Sequence, residues 1–288
     1  TNSLTKPDYA DNSSAFQSED SVQIINKLSE DLSVLRQTLL FTGLESVAHN
    51  INHRQTNLRL FEFGKTYRVE NAEAAGLEKY QEHQRLSLFM TGNTQEDSWM
   101  GGTRPVEFHD LTLVIKKILE KFNISAYNSI AIENGVFEYG LSITTSDQTY
   151  ARFGKLNPQT CSQANIKQSV FYADVNWELI ANLPKDDIAF KEVSRYPEVR
   201  RDLSLVLDKG IVFSKVEEVA RATERKLLSR INVFDVYEGD KIGPNKKAYA
   251  LSFVLQDKDK TLTDKIIDKC MTRLMRSFEQ ELGAFIRT

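Results

Sequence analysis

The chain has 288 residues, 41% hydrophobic, 27% charged and 10% aromatic, with 37 Lys and Arg against 40 Asp and Glu for a formal net charge of −3. At roughly 150 residues per domain the length predicts two domains, and the composition excludes a disordered chain. The charge balance excludes a uniformly basic nucleic-acid coat but not a local basic face, because an average hides asymmetry.

Residues 1 to about 20 are polar and rich in Ser, Asn and Asp, which predicts a lead-in or loop, and Val22 to Ile25 alternates weakly as a short strand would. From Leu32, the apolar residues Leu35, Leu39, Leu40, Leu44, Val47, Ala48 and Ile51 recur at spacings of three and four and predict one amphipathic helix. Strands are predicted over Leu58 to Phe63, Thr66 to Val69 and Leu86 to Met90, with Asn71 to Gln81 a loop or short helix. Gly101-Gly102-Thr103-Arg104-Pro105 reads as a turn before a second helix carrying Phe108, Leu111, Val114, Ile115, Ile118, Leu119 and Phe122. Ile130 to Ile132, Phe137 to Ile143, Tyr150 to Leu156 and Val170 to Val175 follow as strands. Many short strands with few helices imply an α+β layer arrangement, a mostly antiparallel sheet with helices on one face. The polar run Leu183 to Asp187 reads as a linker, dividing a first domain, 1–185, from a second, 191–288.

The second domain has its own order of elements. Asp202 to Leu207 is a strand with Leu203, Leu205 and Leu207 on one face, and Phe213 to Leu228 a helix with Val216, Val219, Ala220 and Leu227 inward. Val233 to Tyr237 and Ala248 to Leu255 are strands, Lys265 to Phe278 is a helix, and Gly283 to Ile286 closes as a short strand. The order βαββαβ is the ferredoxin-like arrangement. Charge separates the halves too: residues 191–288 hold 20 Lys and Arg against 16 Asp and Glu, a net of +4, and residues 1–190 the remaining 17 against 24, a net of −7.

No stretch approaches the ~18 apolar residues of a membrane helix, and the opening residues lack a signal peptide's basic and apolar regions. Cys161 and Cys270 lie far apart with no CxxC partner, which excludes a disulfide framework and points to a reducing, cytoplasmic setting. A chain that opens on Thr1 is expected to be a fragment of something longer. No GxSxG, HExxH or GxxxxGK[ST] occurs, and His49 and His53, four apart, have no evident third metal ligand. No self-sufficient catalytic constellation, metal site or cofactor site is therefore expected in this chain. Two basic-aromatic clusters do stand out. Ser194 to Asp202 holds Arg195, Tyr196, Arg200 and Arg201; Lys241, Lys246 and Lys247 are flanked by Tyr237 and Tyr249. Guanidinium forks bind phosphates and aromatic rings stack on bases; equally, Arg201 and Asp202 could pair with neighbours, Tyr196-Pro197 make only a rigid turn, and the lysines sit on a solvated hairpin.

Ser194-Arg195-Tyr196-Pro197 with Arg200-Arg201-Asp202-Leu203, then Phe234-Asp235-Val236-Tyr237, Thr261-Leu262-Thr263-Asp264 and Gly283-Ala284-Phe285-Ile286-Arg287, resembles the ferredoxin-fold anticodon-binding domain that ends the beta subunit of bacterial phenylalanyl-tRNA synthetases. Leu32 to Leu40, Leu60 to Lys65, Arg104 to Phe108 and Gly154 to Pro158 resemble that subunit's class II synthetase-like, catalytically inactive domain, so the resemblance spans the chain. Phe41 stands where the family often has Pro and Asn157 where it often has His.

The resemblance implies a division of labour. An alpha subunit, in an alpha2beta2 assembly, would activate phenylalanine with ATP and Mg2+ and charge phenylalanine tRNA; this chain would support that subunit and hold the anticodon, without aminoacylating or editing alone. The helix Leu32 to Ile51 is expected to pack against the alpha partner. The expected RNA contacts are Arg195, Tyr196 and Arg201 on the first cluster and Tyr237, Lys246, Lys247 and Tyr249 on the hairpin, with Phe234 and Phe253 assigned to the core. The competing expectation is a non-catalytic scaffold that reads no RNA.

Overall fold

The structure, a computed structural model, describes residues 1–11, 15–27, 29–124, 127–132, 135–145, 148–183, 192–239 and 242–287. The described chain gathers into two units, Thr1–Asp187 and Ile188–Thr288. The predicted linker beyond Leu183, and Lys241 of the predicted hairpin, lie outside the described residues.

The first unit runs β1 (Leu4–Thr5), α1 (Asp8–Asp11), β2 (Val22–Gln23), β3 (Val34–Leu35), α2 (Leu40–Asn52), β4 (Leu58–Val69), β5 (Tyr80–Thr91), α3 (Phe108–Lys121), β6 (Asn128–Ile132), β7 (Phe137–Thr145), β8 (Gln148–Leu156), α4 (Pro158–Ser162), β9 (Val170–Asn176) and α5 (Trp177–Ala181). Its main sheet is antiparallel in the order β4-β5-β9-β8-β7-β6, and β1-β3-β2 form a small second sheet. The single helix predicted from Leu32 is corrected: its first part is a 3-10 turn, Glu30–Leu32, and the strand β3, and the α-helix begins at Leu40. The reason is Arg36, whose buried guanidinium bonds Lys65 O (2.9 Å) and Glu62 Oε1 (2.9 Å) and so ties an extended backbone to β4. Gly64 does not interrupt β4, so two predicted strands are one; a Cβ at Gly64 would stand 2.5 Å from the Arg36 guanidinium.

Helices cover both faces of the main sheet, not the one face predicted. Alternate residues of a strand point to opposite sides. Leu86, Met90, Phe171, Ala173, Val175, Ala151 and Phe153 meet Leu111, Ile115 and Leu119 of α3 and Ile180 of α5. Phe89, Val170, Tyr172 and Leu156 meet Leu40, Phe41, Leu44 and Val47 of α2 on the other side. Phe41 is buried and stacks on Tyr9, ring centroids 4.6 Å apart. Each fully buried Leu or Phe contributes about 1.5–3 kcal/mol. The apolar face of α2 is therefore spent on its own sheet. Asn157 caps α4, its Oδ1 accepting from Thr160 N at 2.7 Å, a role an amide fills directly.

The second unit runs β10 (Val199–Asp208), α6 (Phe213–Thr223), β11 (Leu228–Tyr237), β12 (Lys246–Leu255), α7 (Asp264–Leu282) and β13 (Phe285–Arg287). The antiparallel order β11-β12-β10-β13 is the ferredoxin-like arrangement. Both helices pack on one face, where Leu205, Leu207, Leu251, Phe253 and Leu255 meet Val216, Val219 and Ala220 of α6 and Ile267, Cys270, Leu274 and Phe278 of α7. Helix α6 stops at Thr223 and Leu228 opens β11, so the predicted helix end is corrected: buried Glu224 accepts from the N–H groups of Lys226 (3.2 Å) and Leu227 (3.1 Å) and turns the chain. Gly283 ends α7 in the left-handed conformation, φ 59°, that glycine adopts without a Cβ penalty.

Two outcomes follow. A Cβ at Gly43 would stand 2.1 Å from the Phe89 ring, so Gly43→Ala should lower stability by about 1–3 kcal/mol in urea unfolding although Ala is the better helix former; a gain in stability would contradict the close α2–β5 packing. Asp110 anchors the start of α3, bonding both terminal nitrogens of Arg104 (2.7 and 2.8 Å) and Glu107 N (2.8 Å). Chiefly the Arg104 hydrogen bond lowers its carboxyl from 3.8 to about 2. The folded form thus binds its proton less readily than the unfolded one, so this stabilisation is complete above the ordinary carboxylate range and lost as pH falls toward 2. Acid titration of wild type against Asp110→Ala should show the two stability curves converging over that window.

Candidate nucleic-acid interface

Among the described residues, the face of the C-terminal sheet opposite α6 and α7 carries no helix of its unit. Register places its side chains in rows across the strands: Arg200, Val254 and Arg230; Asp202, Ser252 and Asn232; Ser204, Ala250 and Asp235; Val206, Ala248 and Tyr237. Phe285 and Arg287 of β13 extend the last two rows beside Val206 and Ser204. Small residues at the centre make a shallow floor, and aromatic and cationic groups stand around it. Phe234, 52% exposed, lies under the Arg200 guanidinium at 5.4 Å, and Phe285 and Tyr237 are 67% and 42% exposed. Arg200 also binds Asp202 through two hydrogen bonds of 2.8 and 3.2 Å, which fixes the guanidinium plane beside the ring. Such a surface offers π-faces for bases and guanidinium groups for phosphates.

Of the residues expected to meet RNA, Tyr237 and Lys246 take positions on this open face. Arg195 and Tyr196 lie on the segment before β10: Arg195 is exposed and paired with Glu192 (3.0 Å), and Tyr196 O accepts from Gln256 Nε2 at 2.8 Å. Three other expected contacts lie off this face. Arg201 sits opposite Phe253 on the helix-facing side, 3.6 Å from Asp264 of α7. Tyr249 is buried in the core, edge-on to Phe213. Lys247 is buried above the Tyr249 ring at 4.9 Å, donating to Lys209 O at 2.8 Å. The cause is common to all three: they share the parity of Leu203, Leu205, Leu251 and Phe253, which the helices cover. Phe253 is core as expected, whereas Phe234 is exposed, which corrects its assignment to the core. Arg200, Arg230, Phe234 and Phe285 were missed. Strict alternation identifies the first: if Leu203, Leu205 and Leu207 point in, Arg200 points out.

Burial pushes both thiols, Cys161 and Cys270, up to about 11, which leaves neither a ready nucleophile. Among the described residues no group of three His, Cys, Asp or Glu side chains is placed to hold a metal, and no helix is long and apolar enough to cross a membrane.

Comparison with known proteins agrees with this geometry. Residues 194–287 match the ferredoxin-fold anticodon binding domain, and residues 1–177 match the phenylalanyl tRNA synthetase beta chain CLM domain. The chain belongs to the phenylalanyl-tRNA synthetase beta-chain family. It is similar to phenylalanine–tRNA ligase beta subunits of Bacteroides thetaiotaomicron (39% identical over 294 residues), Bacteroides fragilis (37% over 294) and Fusobacterium nucleatum (33% over 270). The matches cover 99%, 99% and 92% of this chain but 36%, 36% and 33% of those relatives, so the chain spans about a third of their length.

The burial of Lys247 has a direct consequence. Lys247→Met should cost about 1–3 kcal/mol of stability, because Lys209 O loses its partner. The salt slope of tRNA binding, followed by filter binding over a range of salt, should stay unchanged; a flatter slope would place Lys247 on a phosphate.

Proposed function

We propose that this chain is the part of a phenylalanine–tRNA ligase beta subunit that holds the anticodon region of phenylalanine tRNA and supports a catalytic alpha subunit. The observation that carries the reading is the open sheet face, where Phe234, Tyr237 and Phe285 stand exposed with Arg200, Arg230 and Arg287 in a unit matched as an anticodon-binding domain. Unpaired anticodon-loop bases stack on the rings, and the cations neutralise the adjoining phosphates. The net charge of +4 over residues 191–288 favours the approach of RNA. Arg195, Tyr196 and Lys246 remain candidate contacts at its margin.

The first unit is read as a class II synthetase-like domain that binds protein rather than reacting. Its edge strand β4 leaves Phe61 69% and Phe63 53% exposed, their rings 6.1 Å apart, with Phe63 4.7 Å from Trp177. An uncovered apolar patch of this kind fits a protein subunit, so β4, not α2, is the surface assigned to the alpha partner of an alpha2beta2 enzyme. ATP and Mg2+ belong to the complete cytoplasmic enzyme, with no cofactor held by this chain. Two roles on two units also account for the charge split, −7 before residue 191 and +4 after it.

The test is filter binding of the 288-residue chain to phenylalanine tRNA and to a second tRNA with a different anticodon. Phenylalanine tRNA should bind more tightly. Phe234→Ala should weaken it by about 5- to 100-fold, the loss of one base stack, and Arg230→Ala should reduce the salt slope by about 0.7. Equal affinity for both tRNAs, unmoved by either substitution, would leave the scaffold reading in its place.

A further inference from the structure

A second polar site lies in the first unit. Helix α2 covers the apolar half of one face of the main sheet, over Phe89 and Tyr172, and beyond it the same face turns polar and leaves a cavity of about 340 Å3. That volume is within the ~300–1,000 Å3 range of small-molecule pockets. Three side chains from neighbouring strands line it: Arg85 on β5, Asp174 on β9 and Arg152 on β8. Arg152 is directly across from Asp174, and Arg85 is one step along, across from Asn176. Thr38, just before α2, lines the same space.

The charges do not balance. Asp174 lies 3.8 Å from the Arg85 guanidinium. Arg152 also faces this carboxylate, yet among the described residues it makes no hydrogen bond or ion pair. Two guanidinium groups thus share one carboxylate and leave a single surplus positive charge. Arg68, also on the cavity wall, has its own partner in Asp20. Arg152 is exposed to solvent, so its guanidinium fork is free to take a carboxylate or phosphate through two hydrogen bonds.

We propose that this cavity binds a small organic oxyanion, a phosphate or carboxylate compound, with Arg152 and Arg85 on its anionic group. Asp174 sets the strength: it orients both guanidinium groups and competes with the ligand for them. The site involves the first unit alone and is independent of the RNA reading, so either can fail without the other.

The test is calorimetric titration of the intact 288-residue chain with inorganic phosphate and, separately, with acetate, at constant ionic strength. Saturable binding of at least one is expected, and which one binds distinguishes a phosphate compound from a carboxylate compound. Arg152→Gln should weaken binding about tenfold or more, the loss of one charge-assisted contact. Asp174→Asn should tighten it, a gain that a merely structural carboxylate would not produce. Arg221→Gln, on α6 of the other unit, should leave it unchanged. Melting curves of the free variants establish that each is folded, and Arg152→Lys, which keeps the charge but not the fork, should fall between wild type and Arg152→Gln. No saturable heat with either anion at millimolar concentration, or equal affinity in wild type and Arg152→Gln, would overturn the proposal.

Discussion

Both units depend on one constraint of the β-strand: consecutive side chains point to opposite sides, so a strand that gives one set to a helix frees the other. In the second unit, α6 and α7 take the odd-numbered residues of β10 and β12, and Arg200, Asp202, Ser204 and Ser252 are left to the open face. In the first, α2 takes Tyr172 while Asp174 and Asn176, of the same parity on β9, are left to line a cavity. The candidate surfaces are what remains after the cores are built.

That remainder has to be held in place, and in the first unit the pair of buried Arg36 with half-buried Glu62 does much of this. Burial alone would raise the Glu62 carboxyl, but hydrogen bonds from Thr1 and the Arg36 guanidinium bring it below its usual range, so it stays ionised beside its partner. The pair fixes the chain just before α2, including Gln37 and Thr38 on the cavity wall. A glycine at position 64 is the condition for this approach, since a side chain there would take the space of the guanidinium. Removing one partner of such a pair leaves the other charge buried and uncompensated, which makes the pair costly to break whatever its net worth.

Much of this was legible in the sequence. Leu203, Leu205 and Leu207, then Val216, Val219 and Ala220, are enough to order strand and helix in the second unit, and four separated motifs reach the family. The site was less legible because residue type was read without side. Arg201, Lys247 and Tyr249 have suitable chemistry for RNA, but their parity sends them toward α6 and α7. The long helix predicted from Leu32 failed for a different reason: Leu35 and Leu39 keep helical spacing, but the partners of Arg36 lie on β4, remote in sequence, and no periodicity registers them.

One irregularity in β11 reaches further than its size. Between Val233 and Asp235 the strand carries one residue more than β12 opposite it, so pairing passes from Val233–Leu251 to Asp235–Ala250. The extra residue acts on side chains as a frameshift acts on codons. Before it, the odd positions Ile231 and Val233 face the helices; after it, the odd positions Asp235 and Tyr237 face away. Tyr237 owes its outward position to this added residue and not to its own number in the strand. A family member lacking the residue would present the same amino acids with their inside and outside exchanged from that point on, so insertions and deletions in β11 govern this surface as strongly as substitutions do.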